Sequence, residues 1–197
     1  MRATELNKIN KLIISTEDIA KVLSINKESA KVTANRYVKN GSLFRIKRDY
    51  YITANKYEKL NEKELFRIAN TIQLPSYISL TSALSYYNIS TQQLRGIIES
   101  ITTKKTNLIR VKEVSFNFIL IKKDFYTGFK FEEDIFIAQP EKAIADIVYL
   151  SSLGRYNCDF DAVNFNKLNK SKITGYIRKI NQRTKIYWDI LCKRYKI

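Results

Sequence analysis

Between residues 27 and 39 the chain gathers side chains suited to a polyanion and to the edges of nucleic-acid bases: Lys27, Ser29, Lys31, Val32, Asn35, Arg36 and Lys39. At helical spacing Ala30, Ala34, Tyr37 and Val38 fall on one face, and Glu28, Lys31, Val32, Asn35, Arg36 and Lys39 on the other. A helix fits the DNA major groove, where asparagine pairs with adenine and arginine with guanine through two hydrogen bonds each. Lys27, Ser29 and Lys31 stand near the start of that helix, where free backbone amides also hold phosphate. Arg45, Lys47 and Arg48 follow in a short basic cluster within reach of phosphate or an adjacent minor groove. This set offers recognition; it makes and breaks no bonds.

Catalytic chemistry has little to draw on. The chain has no histidine and two cysteines, Cys158 and Cys192, in no CxxC pair. That excludes histidine metal sites and the Ser-His-Asp triad, and argues against a disulfide framework. Glu132-Glu133-Asp134 reads either as a metal-binding cluster or as a solvated turn; neighbouring carboxylates on a strand diverge, which favours the turn. Asp124, Glu141 and Lys142 resemble a nuclease set only loosely, because no strand carries the acid and the lysine two apart. Neither GxxxxGK[ST] nor GxGxxG occurs. The expectation is a protein without enzyme activity, cofactor or metal.

The positioning elements can be read from caps and periodicity. Thr4 to Leu12 is spaced as a short helical segment. Ser15 caps a second helix with Asp18 at the reciprocal position, and Asn26 caps a third. Asn40-Gly41 closes the third helix. The period then turns alternating: Leu43 to Ile46 and Tyr50 to Thr53 read as strands around Lys47-Arg48-Asp49. Helix, helix, tight turn, helix and basic hairpin is the order of a winged helix-turn-helix. Residues 54–75 read as a helical linker, with Leu65, Ile68, Ala69 and Ile72 on one side and Leu74-Pro75 as its stop. Residues 76–197 read as a second, mixed unit. Its expected parts are a strand at Tyr77 to Ser79, a helix at Thr81 to Tyr87, strands at 97–103, 115–122 and 135–138, and a helix at Glu141 to Leu150 opened by Pro140. The fold class expected is α+β: a winged helix-turn-helix over residues 1–53, then a mixed α/β domain with a basic helical end.

At 197 residues and 45% apolar content the chain can bury a substantial core. Its net charge of +16 suits a polyanionic partner. Residues 167–197 hold ten Lys or Arg against a single Asp, so the basic surplus is heaviest at the end. That segment reads either as a solvated helical face or as a second contact for nucleic acid or an acidic partner. No 18-residue apolar run and no leader-like start occur, which leads to an expected cytoplasmic location.

Three strings carry a family resemblance: STEDIAKVLSINKESAKVTANRYVKNGSLFRIKRDYYI (Ser15 to Ile52), YISLTSALSYYNI (Tyr77 to Ile89) and IFIAQPEKAIADIVYL (Ile135 to Leu150). Together they resemble the AbiEi-type abortive-infection antitoxins of type IV toxin–antitoxin systems. A departure is Arg48-Asp49, where that family often has Arg-Gly. The resemblance implies a winged helix that binds inverted repeats in double-stranded DNA upstream of its own operon and represses it. It also implies a second domain that counters a nucleotidyltransferase-like toxin, without a tight complex. A monomer or weak dimer, two copies per operator, would suit that arrangement. Two rival readings are a one-component repressor with a ligand-sensing second domain, marked by an apolar pocket with convergent polar groups, and a winged-helix nuclease.

Overall fold

The computed structural model describes residues 2–197. A 3-10 segment, Arg2–Lys8, leads into strand β1 (Ile14–Ser15) and helices α1 (Thr16–Leu23) and α2 (Lys27–Lys39). Ser15 and Asp18 form the reciprocal cap of α1: the Asp18 amide donates to the Ser15 hydroxyl at 3.1 Å, and the Ser15 amide to the Asp18 carboxylate at 2.9 Å. Asn26 accepts from the Ser29 amide at 2.8 Å and starts α2. Gly41, with φ of 75°, takes the left-handed conformation that ends α2 and turns the chain into β2 (Leu43–Lys47). With β3 (Tyr50–Thr53) these strands form a sheet ordered β1-β3-β2, antiparallel throughout. The expected first helical segment, Thr4 to Leu12, is a 3-10 segment that ends at Lys8, and strand β1 follows it; Ile14 pairs with Tyr51 and is fully buried.

Two short connections follow, α3 (Ala54–Tyr57) and α4 (Glu62–Ile72), the latter capped reciprocally by Asn61 and Glu64. Phe66, Ile68, Ala69 and Ile72 of α4 are buried in the larger of two cores. That core surrounds a six-stranded sheet ordered β6-β7-β5-β4-β9-β8. Its strands are β4 (Ser76–Ile78), β5 (Ile97–Thr102), β6 (Asn107–Val111), β7 (Val114–Leu120), β8 (Phe129–Glu132) and β9 (Ile135–Ala138). The β4–β9 and β5–β7 pairs are parallel and the others antiparallel. Helix α5 (Leu80–Tyr86) follows β4, and α6 (Pro140–Ser152) follows β9 with its proline in the first turn. Ala143 to Leu150 are buried without interruption, so α6 is the axis of the core. The last two helices, α7 (Lys170–Arg178) and α8 (Gln182–Tyr195), pack against α6 through Ile173, Ile177, Trp188 and Leu191. The molecule is thus mixed α and β with two sheets.

The β2–β3 hairpin belongs to both cores. Leu43 and Tyr51 close the small core made with Ile19, Leu23, Ala30, Ala34 and Tyr37. Ile46 and Ile52 turn the other way, into the large core. No helix among the described residues is long and apolar enough to cross a membrane.

Candidate nucleic-acid interface

Helix α2 buries Ala30, Ala34 and Tyr37 and leaves the opposite side open. Lys27, Ser29, Asn35, Arg36 and Lys39 are exposed, Lys31 is half-buried, and Val32 is 70% exposed. A β-branched residue this open in the middle of a polar face is an apolar contact without a cover in the isolated chain. Two of the lysines already hold carboxylates: Lys27 lies 2.5 Å from Glu17, and Lys31 lies 2.9 Å from Glu28. The Glu17 hydrogen bond holds the Lys27 ammonium above its ordinary value, and Lys27 in turn holds the Glu17 carboxyl below its own. Both pairs are surface pairs that an arriving phosphate can replace at little cost.

Arg45 and Asn35 meet. The Arg45 guanidinium donates to the Asn35 side-chain oxygen and lies over the Tyr51 ring, 5.7 Å from its centre. The hairpin is thereby tied to the outward face of α2. Spacing alone gives no sign of this link, because it joins two elements across the turn at Gly41. Arg48 stands at the hairpin tip with its side chain 94% exposed. Asp49 beside it has φ of 65°, a conformation that glycine takes freely and aspartate tolerates. The Asp49 carbonyl accepts from the Thr16 amide at 3.0 Å and its carboxylate from the Thr16 hydroxyl at 3.1 Å. The Arg48-Asp49 departure therefore keeps the hairpin turn and pins it to the start of α1.

Lys47 departs from the expected set. Strict alternation would place it beside Arg45, but the strand register shifts between these residues. Such a bulge re-aims the side chain that follows. Lys47 instead donates to the Thr71 carbonyl of α4 at 2.6 Å and lies 4.7 Å from the centre of the Tyr50 ring. Burial, and then the nearby Lys104, pull its ammonium below the ordinary lysine value. Lys47 joins the hairpin to α4 and does not stand free for phosphate. Lys47→Ala should accordingly leave the salt dependence of any nucleic-acid binding unchanged. It should also lower folding stability by about 1.5–3 kcal/mol, the worth of a charged hydrogen bond, read from urea midpoints.

The remaining titratable groups of note are buried. Lys142 and Asp146 form an ion pair one turn apart on α6, both inaccessible to solvent. Asp146 also accepts from the Tyr77 hydroxyl at 3.0 Å and the Ser79 hydroxyl at 2.9 Å. Burial pushes its carboxyl up, and Lys142, Ser79 and Tyr77 pull it back. Lys142 thus serves the core and joins neither Asp124 nor Glu141 in a site. A second buried acid, Glu99 on β5, accepts from the Thr81 amide at 3.1 Å and the Tyr156 hydroxyl at 2.8 Å. Glu133 and Asp134, with φ of 49° and 63°, make the tight turn between β8 and β9 and pair outward with Lys63 and Arg67 of α4. No group of three or more Cys, Asp or Glu among the described residues is placed to hold a metal ion.

No protein-family model matches the chain, and no curated protein matches it at a significant level.

Proposed function

We propose that this chain is a DNA-binding repressor that reads double-stranded DNA with a winged helix-turn-helix formed by α1, α2 and the β2–β3 hairpin. One observation carries the reading: Asn35, Arg36 and Val32 stand together on the open face of α2, with Arg45 of the hairpin joined to Asn35. That array pairs two base-reading side chains with an apolar contact suited to a thymine methyl. Lys27, Lys31, Lys39 and Arg48 flank it with positive charge for the phosphates. The ten basic residues after residue 166 add to the long-range attraction of a polyanion.

Electrophoretic shifts on the DNA upstream of the chain's own gene test this. Arg36→Ala should weaken specific binding by about 1–3 kcal/mol and relax preference at a single base pair. Unchanged affinity and preference in an Asn35→Ala, Arg36→Ala double variant would remove α2 as the reading element.

The antitoxin role rests on the sequence resemblance, and the partner it names is a nucleotidyltransferase-like toxin. The Tyr77–Ile89 and Ile135–Leu150 strings build adjoining parts of one core, β4–α5 and β9–α6. They meet at Asp146, which takes hydrogen bonds from Tyr77 and Ser79. What they share with that family is therefore architecture. Rescue of cells expressing a toxin encoded beside this gene is the deciding measurement; growth that stays arrested would remove the antitoxin role and leave the repressor.

A further inference from the structure

The six-stranded sheet ends on one side at β8, and no further strand among the described residues covers that edge. The Gln139 amide donates to the Gly128 carbonyl at 3.0 Å, so Gly128, Lys130 and Glu132 are the residues that bond across to β9. The amides and carbonyls of Phe129 and Phe131 therefore point away from β9, along the free edge. The residue opposite Phe131 agrees: the Phe136 amide turns away from β8 and donates to Asn70 at 2.7 Å. An edge of this kind is a template for another strand.

The side chains of this edge are apolar on one face and oppositely charged on the other. Phe131 is 62% exposed, and its ring centre lies 4.8 Å from that of Phe136, itself 37% exposed. Leu74, 50% exposed, lines one apolar hollow with Phe129 and Phe136. Large apolar side chains open to water thus gather at one corner instead of lying singly, which marks an interaction surface. On the other face Lys130 Nζ lies 2.6 Å from the Glu132 carboxylate.

This strand is complementary to itself. An antiparallel copy centred on Phe131 sets Phe131 opposite Phe131, Lys130 opposite Glu132 and Glu132 opposite Lys130. Each Phe131 amide then meets the other's carbonyl, each lysine meets an acid, and the phenylalanines meet on the apolar face, as a two-fold axis requires. Centring the pair on Lys130 would set two lysines together, which is unfavourable. The opposite edge of the sheet, β6, exposes Leu108 but carries Arg110 and no acid, so no two-fold register pairs charges there.

We infer that the β8 edge is an interface between two copies of this chain, joined antiparallel about Phe131. The two sheets become one across the axis. The contact goes beyond the proposed DNA-reading role: it lies apart from the open face of α2 and forms without DNA. One short strand and a few apolar side chains make a small interface, and the charge of +16 on each copy opposes approach. The dissociation constant should be on the order of 100 µM.

Sedimentation of the full chain without DNA, from about 5 to about 500 µM, tests this and should show the average mass rising from one chain towards two. Lys130→Glu and Glu132→Lys each set like charges together twice across the axis, and each should weaken self-association about tenfold or more. Mixing the two variants should restore association, because every charge in the mixed pair again meets its opposite. Lys130→Glu also lowers the net positive charge, so general repulsion alone would make it associate better than wild type. Phe131→Asp, at an exposed position, should abolish association, and it decides the matter if either charge variant fails to fold. A chain that stays single throughout would leave the edge to a strand of another protein and overturn the proposal. So would no recovery on mixing the folded variants, or undiminished association by folded Phe131→Asp.

Discussion

Asp146→Ala is expected to destabilise the chain by about 3–5 kcal/mol, a large share of the stability of an ordinary domain. The substitution leaves the Lys142 ammonium buried with no opposite charge, on a helix whose surroundings are almost wholly apolar. It also removes the acceptor for the Tyr77 and Ser79 hydroxyls, neither of which can turn to water. Lys142→Ala should cost a similar amount by stranding the carboxylate. The pair itself need not be worth that much, since burying two charges consumes most of what their attraction returns. Lys142→Met with Asp146→Leu, which replaces both charges by apolar groups of similar size, should therefore lie closer to wild type than either single change. Urea unfolding followed by far-ultraviolet circular dichroism would measure all three. A loss below about 1 kcal/mol for Asp146→Ala would show that water reaches the pair and that α6 is less firmly packed than its burial states.

The small N-terminal unit was readable because its signals are local. Ser15 with Asp18, Asn26 with Ser29, and Gly41 act within a few residues of themselves, and each stands where its residue type leads one to expect. The inward stripe of α2 is likewise a matter of spacing. Strands β6 and β8 carry weaker signals: both are edges of the sheet, and Leu108 and Phe131 point into solvent at 62% exposure each. An edge strand open on one face lacks the apolar run that betrays a central one.

The groups that matter most to the second unit are joined across the chain. Asp146 reaches back 69 residues to Tyr77, and Glu99 reaches forward 57 to Tyr156. No spacing rule pairs such residues; only the adjacency of β4, β5 and α6 does. Lys47 leaves the face that alternation assigns it for a related reason, since one inserted residue in a strand reverses which face the next side chain takes. The boundary at residue 53 has the same origin. Periodicity stops there, but Ile46 and Ile52 pack into the larger core, so a fragment ending at residue 60 would expose them. Whatever the hairpin binds, its back surface is part of the second unit's interior.

Glu99 should make folding stability fall as the pH rises from about 4.5 to about 7. Its carboxyl lies 4% exposed at the junction of β4 and α5, where Leu80 holds a φ of 56° that a branched side chain rarely adopts. Burial pushes its pKa up to about 7, against the downward pull of the Tyr156 hydroxyl and the Thr81 and Ser82 backbone. Within the window the folded chain keeps a proton that the unfolded chain has released. Folding is therefore favoured most below pH 4.5 as far as this group is concerned, and the advantage is gone above pH 7. The shift corresponds to about 3 kcal/mol, an upper figure because structure relaxes around a buried charge. The chain has no histidine, so the usual titration in the upper half of this window is missing. Glu99→Gln keeps an acceptor for Thr81 and Tyr156 without the charge, and its stability should fall less over the same range, the slope that remains coming from other carboxyls raised by burial such as Asp146. Urea midpoints at pH 5 and 7.5 for the two proteins give the comparison. Parallel pH dependence in wild type and Glu99→Gln would mean that Glu99 ionises freely in the folded chain, and that the β4–α5 junction is open to water.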